Sequence, residues 1–366
     1  MTFCYYATSH GYGHAVRISQ VIKEIHPDID VIVRSAAPES LFREEIVRPF
    51  RYLPAEFDCG CLQSDSVTVL KRETLDRYRQ IAERNEASLD AEVEFLTREG
   101  VTCVACDIPS FPLRAAAEAG IPGVAISNFT WHDIYREYVE SAADQALLDA
   151  MAAEYATASL ALIPPMQVPT MAALFPRARA IPMICRRGVD IRLRLDEHLS
   201  QAPSPFQKEG RGEVSKHVAL LYIGLWGLDI DWTEIEALRD WTFVTYEDIL
   251  AKSSNVVTLP RGEWPSADVA ASVDVVVSKP GYGTISECVA NGISLVYIPR
   301  ENFAEYPALD EGLTRWGGGV KIVPADFARG HWADALAQAL ASTPDSTVYE
   351  VDGAKVAAEV LMEYAR

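Results

Sequence analysis

Two glycine turns, far apart in the sequence, carry the residues best equipped to do chemistry. The second reads Ser278-Lys-Pro-Gly-Tyr-Gly-Thr-Ile-Ser-Glu287 and follows the apolar run Val275 to Val277. A buried strand that ends in glycines and opens a short helix on Thr284 turns free backbone N–H groups, and the positive end of the helix, toward an anion. The natural occupant is a diphosphate, with Lys279, Gly281, Tyr282, Gly283 and Thr284 around it. Glu287, one turn into the helix, is placed to accept from the two vicinal hydroxyls of a ribose. No Gly-Lys-Ser/Thr follows at the spacing of a Walker loop, and the glycines do not fit the GxGxxG dinucleotide pattern. An ordinary strand-turn-helix with convenient glycines is the competing reading.

The first turn, Thr8-Ser-His-Gly-Tyr-Gly-His14, precedes helix formers from Ala15 to Glu24. His14 falls in the first turn of that helix, where the macrodipole favours the neutral imidazole that a general base requires. Asp107, directly after the strand expected at Thr102 to Cys106, is the candidate to orient it, because central parallel strands deliver their last residues to one cleft. His10 is a rival base. The alternatives are a helix cap for His14 and, for Asp107, a cap on the turn before Pro109. A third turn, Tyr222-Ile-Gly-Leu-Trp-Gly-Leu-Asp229, offers the amides of Gly224 and Gly227 to the same phosphates.

These turns need a scaffold, and the rest of the chain supplies one. Its 366 residues are 49% hydrophobic, enough for two domains with full cores. With 33 basic and 52 acidic residues the net charge is -19, which disfavours nucleic acid and anionic membranes as partners. Seven cysteines scattered through apolar segments read as reduced core residues. Cys59-Gly-Cys61 has poor spacing for a disulfide and lacks companions for a zinc set, so no metal or redox role is expected there. The first residues lack a signal peptide's basic start and apolar core, and no apolar stretch reaches membrane-spanning length. The expectation is a soluble, cytoplasmic protein of undetermined oligomeric state.

Short β-branched runs alternate with helical patterns, which predicts βαβ units. Strands are expected at Phe3 to Ala7, Asp30 to Arg34, Arg51 to Pro54, Thr102 to Cys106, Gly123 to Ile126 and Leu160 to Ile163. The second half offers His217 to Ile223, Thr242 to Tyr246, Asn255 to Leu259, Asp274 to Val277, Ser294 to Ile298 and Val320 to Val323. Residues 1–186 then form one domain and 217–352 another. The segment 187–216, polar and rich in Pro and Gly from Ser200 to Gly212, is a linker or loop. Residues 353–366 form an amphipathic helix that must pack on something, plausibly the first domain.

At this point the residues carry a resemblance. The chain is similar to glycosyltransferases of the GT-B fold, its second half to the peptidoglycan N-acetylglucosaminyl transferases and the UDP-sugar transferases. Cys4-Tyr-Tyr-Ala-Thr-Ser-His-Gly-Tyr-Gly-His-Ala-Val-Arg17, Asp58-Cys-Gly-Cys-Leu-Gln-Ser-Asp65, Ser127-Asn-Phe-Thr-Trp131 and Gly281-Tyr-Gly-Thr-Ile-Ser-Glu287 resemble the glycosyltransferase-like N-terminal region of plant L-arabinokinases, and the likeness spans almost the whole chain. It implies an α/β architecture of two Rossmann-like, doubly wound parallel-sheet domains facing a cleft. The second domain would hold a nucleoside-diphosphate sugar, UDP favoured, as co-substrate, without metal or further cofactor. The first would bind a small-molecule or lipid-linked acceptor, and displacement at the anomeric carbon would be direct and inverting.

By position, the resemblance assigns the diphosphate to Gly281, Gly283 and Thr284, the ribose to Glu287, and the donor sugar to Arg300, Asn302 and Glu305. His14 and Asp107 match a His–Asp dyad. Asp58, Gln63, Asn128, Trp131 and Tyr135 surround the acceptor cleft. Trp131 and Tyr135, four residues apart, either stack on a sugar ring or belong to the core. Two further readings use the same scaffold: a nucleotide-sugar epimerase or hydrolase, and a catalytically silent sensor. The ATP loop of the plant proteins' kinase half has no counterpart in these residues, so ATP-dependent phosphoryl transfer is not expected.

Overall fold

The computed structural model describes residues 1–64, 68–201, 216–223, 230–246, 253–300 and 303–365. Its first half is a seven-stranded parallel sheet of β1 (Thr2–Ala7), β2 (Asp30–Ser35), β3 (Arg51–Pro54), β4 (Val101–Asp107), β5 (Gly123–Ile126), β6 (Leu160–Ile163) and β7 (Ala178–Ala180). The order is β3-β2-β1-β4-β5-β6-β7, so the winding reverses between β1 and β4. Ala7 stands in register with Asp107, and Thr8 N–H donates to the Asp107 carbonyl at 2.8 Å. The turns after both strands therefore open into one crevice, the place where doubly wound sheets bind ligands.

The second half repeats the plan with β8 (His217–Tyr222), β9 (Trp241–Thr245), β10 (Val256–Thr258), β11 (Val275–Ser278), β12 (Ser294–Tyr297) and β13 (Gly319–Lys321), in the order β10-β9-β8-β11-β12-β13. Reversal comes between β8 and β11, where Ser278 is in register with Tyr222 and its hydroxyl donates to the Tyr222 carbonyl. The Gly281 loop leaves the sheet at this second switch point. Strands β4, β5, β11 and β12 are almost wholly buried, as continuous apolar runs covered by helices on both faces must be.

Most strand ends shift by one or two residues from the sequence expectation, and three differences bear on the scaffold of the site. β7 was not anticipated; Ala-Arg-Ala is exposed along its length, and three residues at a sheet edge carry no apolar run. The fourth strand runs one residue further than expected, so Asp107 is its last member rather than the residue beyond it. A helix, Arg192–Gln201, occupies part of the segment read as linker. Its single buried side chain, Leu195, joins the second core with Val218, Val269 and Val273, while Arg192 Nη1 pairs with Asp274 at 3.1 Å. One apolar contact per helix leaves almost no periodic signal, which is why the segment resembled a loop. Residues 202–215 of that segment lie outside the described residues.

The chain's last helix, Gly353–Tyr364, returns to the first sheet. Ala357, Ala358, Val360 and Leu361 pack with Ala15, Ile18, Val21 and Ile22 of the helix Tyr12–Glu24. Among the described residues no helix is long and apolar enough to cross a membrane.

Candidate active site

Both switch points face the same gap, and the two glycine turns meet there. A Cβ built on Gly283 would lie 3.3 Å from the Gly13 Cα, so the N-termini of the His14 helix (Tyr12–Glu24) and the Glu287 helix (Tyr282–Asn291) approach each other with no room for side chains between. The positive ends of both dipoles converge on this point. The Tyr282 hydroxyl accepts from Ile184 N–H at 3.2 Å, and its ring lies under the Arg17 guanidinium at 5.0 Å.

His14 Nδ1 lies 2.8 Å from Asp107 Oδ1. This contact is part of a larger array. Arg17 Nε donates to Asp107 Oδ2 at 2.7 Å, Arg17 Nη2 to Oδ1 at 2.6 Å, and Arg17 Nη1 to Asn128 Oδ1 at 2.7 Å. Asn128 Nδ2 donates to Glu305 Oε1, across the gap, at 2.7 Å. Burial works to raise the Asp107 carboxyl, but the Arg17 guanidinium and then His14 hold it below the ordinary carboxylate range. Asp107 is thus an anion fixed between two groups, and His14 presents its other nitrogen, Nε2, away from the carboxylate. The His14 ring packs edge-on against Phe129 at 5.7 Å.

His10 is held differently. Its Nδ1 accepts from Cys61 N–H at 3.2 Å, its ring meets Trp131 edge-on at 5.3 Å, and Gly60 passes so close that a Cβ there would fall 2.4 Å from the His10 Cβ. Burial, reinforced by His14, Arg300 and Lys279, pushes its pKa down to about 3. With no carboxylate bonded to it among the described residues and one nitrogen committed, His10 reads as a neutral wall of the site.

Glu287 is engaged by Arg186, whose Nε and Nη2 both donate to Oε1, at 3.0 and 2.6 Å. Among the described residues no bond is made to Glu287 Oε2. Arg186 also pairs with Glu45 of the first domain and donates to Ser266 at 2.6 Å. Burial raises the Glu287 carboxyl despite Arg186. Burial likewise raises Glu305, which is 4% exposed, and lowers Arg300, which is 8% exposed. Lys279, Gly281 and Thr284 lie at the mouth of the Glu287 helix. Gly224, Gly227 and Asn302 fall outside the described residues.

Of the acceptor-side residues, Trp131 and Tyr135 are core. They stack on each other at 5.6 Å and are 1% and 0% exposed, and the Tyr135 hydroxyl donates to the Gly60 carbonyl at 2.6 Å. Their shared face turns inward beneath the Cys59–Cys61 turn, so a sugar cannot stack on them in this arrangement. Asp58 is also buried and accepts from the Thr8 hydroxyl at 2.7 Å, tying that turn to the end of β1. Cys59 and Cys61 are free thiols that burial pushes to about 12.

The architecture matches solved structures along its whole length. A UDP-glucosyltransferase from Polygonum tinctorium, complexed with 3,4-dichloroaniline, superimposes with a TM-score of 0.62 at 14% identity, covering 100% of this chain and 98% of that one. UGT2 of Phytolacca americana, complexed with UDP-2-fluoro-glucose and pterostilbene, gives a TM-score of 0.58 at 12% identity, covering 100% and 94%. The fold is GT-B. In sequence, an L-arabinokinase of Arabidopsis thaliana is 30% identical over 378 residues, which takes in 100% of this chain and 34% of that protein. The chain therefore spans about a third of that relative's length. No protein-family profile matches it. The expected resemblances, to GT-B transferases and to plant L-arabinokinase, both hold.

The sequence reading passed over two residues of this GT-B cleft. Arg17 is one: it lies three positions after His14 among the apolar positions Ala15, Ile18 and Val21, and a buried arginine on an apolar helix face announces an internal acid. Arg186 is the other. It sits in a segment without periodicity, and only the fold brings Glu45 and Glu287 to it.

Proposed function

We propose that this chain transfers a sugar, with inversion, from a UDP-linked donor to a hydroxyl of a small-molecule or lipid-linked acceptor. The observation that supports the reading most directly is the His14–Asp107 contact at the point where two helix N-termini converge across a GT-B cleft. His14 Nε2 takes the proton of the acceptor hydroxyl as its oxygen attacks the anomeric carbon. The bond from that carbon to the diphosphate oxygen breaks, and the electron pair leaves with the diphosphate. The converging helix ends, with Lys279, offset the charge that develops on the leaving group. Asp107 holds the imidazole and stabilises its charged form, and Glu287 Oε2 accepts from the ribose hydroxyls. The neighbours' UDP-2-fluoro-glucose and UDP-glucosyltransferase chemistry fits this reading.

Because Gly13 and Gly283 are in contact, ligands enter only when the domains part, and the catalytic contacts reform on closure. The test is a thermal-shift screen of UDP, TDP, GDP, CDP, ADP and their common sugar conjugates, since a ligand that binds only the folded state raises the melting temperature. The expected result is a shift with uridine nucleotides that is lost in Glu287→Ala. No shift with any nucleotide would leave a degenerate scaffold as the better description.

A further inference from the structure

Arg300 is a buried cation to which no acid among the described residues is bonded. It follows β12, is 8% exposed, and its Nε has no hydrogen-bond partner. Among the described residues it forms no ion pair; its guanidinium lies over the Phe303 ring at 4.0 Å. Stripping water from a guanidinium without giving it a partner is costly, and a ring face returns only part of the loss. Glu305, the acid that acts on it most strongly, is bonded to Asn128 at 2.7 Å. Asp107 is taken by Arg17 and His14.

The position of this cation is as telling as the unpartnered Nε. Arg300 comes from the second domain but lies within electrostatic reach of Cys61, Tyr138 and His10 on the first. The diphosphate already has the N-terminus of the Glu287 helix. Arg300 enters from the neighbouring strand, on the side of the histidine turn, where the sugars themselves would meet.

We propose that Arg300 receives a carboxylate or phosphate carried by one of the two sugars, so that the reaction joins or transfers an acidic sugar. This rests on the glycosyl-transfer reading and narrows its substrate class. The charged group comes from one of two sources: the donor, as a nucleoside-diphosphate uronic acid, or the acceptor, as a uronic acid or sugar phosphate. A charge-assisted contact of this kind is worth roughly tenfold to a hundredfold in affinity.

Calorimetric titration of the wild type, Arg300→Gln and Arg300→Lys separates the sources. In the first arm the probes are UDP, UDP-glucose and UDP-glucuronate. In the second they are glucose, glucuronate and glucose 6-phosphate, each added to protein saturated with UDP. The expected result is a preference of tenfold or more for the acidic probe over its neutral counterpart in one arm, reduced to within about twofold by Arg300→Gln and partly kept by Arg300→Lys. UDP carries no sugar, so its binding together with the melting temperature reports whether each variant has folded. Equal binding of neutral and acidic probes in both arms would overturn the inference. So would a preference that survives Arg300→Gln, or a loss of UDP itself in Arg300→Gln as large as the loss of the acidic probe, which would make Arg300 a diphosphate ligand. If UDP fails to bind the wild type, the transfer reading falls and takes this inference with it.

Discussion

Asp107 faces the Arg17 guanidinium and the His14 imidazole at once, and that arrangement governs both its stability role and its chemical one. Replacing it with asparagine strands the buried Arg17 charge, and removal of one partner from a buried pair costs about 3–5 kcal/mol. Urea denaturation of Asp107→Asn at neutral pH should show a loss of that order. The Asp107 carboxyl sits below its ordinary value of 3.8 in the folded protein, so its contribution is fully present above about pH 4 and fades as pH falls through the depressed value. The gap between wild type and variant should close in acid. Glu305 has the opposite sign: burial raises it above its ordinary 4.5, so ionisation costs stability as pH rises through the raised value. Glu305→Gln should therefore melt at a higher temperature than wild type near neutral pH, with the gain vanishing toward pH 4.5. A variant that melted lower at pH 7 would mean that the carboxylate is favoured where it stands. For catalysis, His14→Ala should lower turnover by about two to four decades while leaving UDP affinity intact, measured by single turnover once a donor is known.

At the scale of elements, the decisive contact is between two turns rather than two side chains. Gly283→Ala would push a methyl to 3.3 Å from Gly13 Cα, backbone against helix end, and neither neighbour has a side chain to swing away. The expected outcome is weaker UDP binding with a nearly unchanged melting temperature, read by titration and calorimetry. These turns were legible because a glycine pair after an apolar run has few other uses, and His14 and Asp107 because parallel strands bring their C-terminal ends together. The burial of Trp131 and Tyr135 could not be settled in advance: their spacing gives a shared face, but only the Cys59–Cys61 turn decides which way that face points. β7 and the Arg192–Gln201 helix were invisible for want of apolar residues, and Arg17's apolar setting signals an internal acid without saying which, its partner lying ninety positions away.

Across the whole molecule, two side-chain clasps are among the polar contacts that join the domains. Arg186 ties Glu45 to Glu287, and Asn128 ties Arg17 to Glu305. Removing both, as Arg186→Ala with Asn128→Ala, should increase the radius of gyration measured by small-angle scattering, and a nucleotide that bridges the halves should reverse part of the increase. No change in either direction would mean that the remaining contacts set the closed arrangement.

The helix Gly353–Tyr364 has a consequence for how the protein is made. It covers the flank of the helix that bears His14, yet it is translated some three hundred residues later, a delay on the order of tens of seconds at ordinary rates of synthesis. Until then Ala15, Ile18, Val21 and Ile22 lack their natural cover, and a nascent first sheet emerging from the ribosome offers that strip to chaperones. The first sheet is complete only once residues 353–364 have been made.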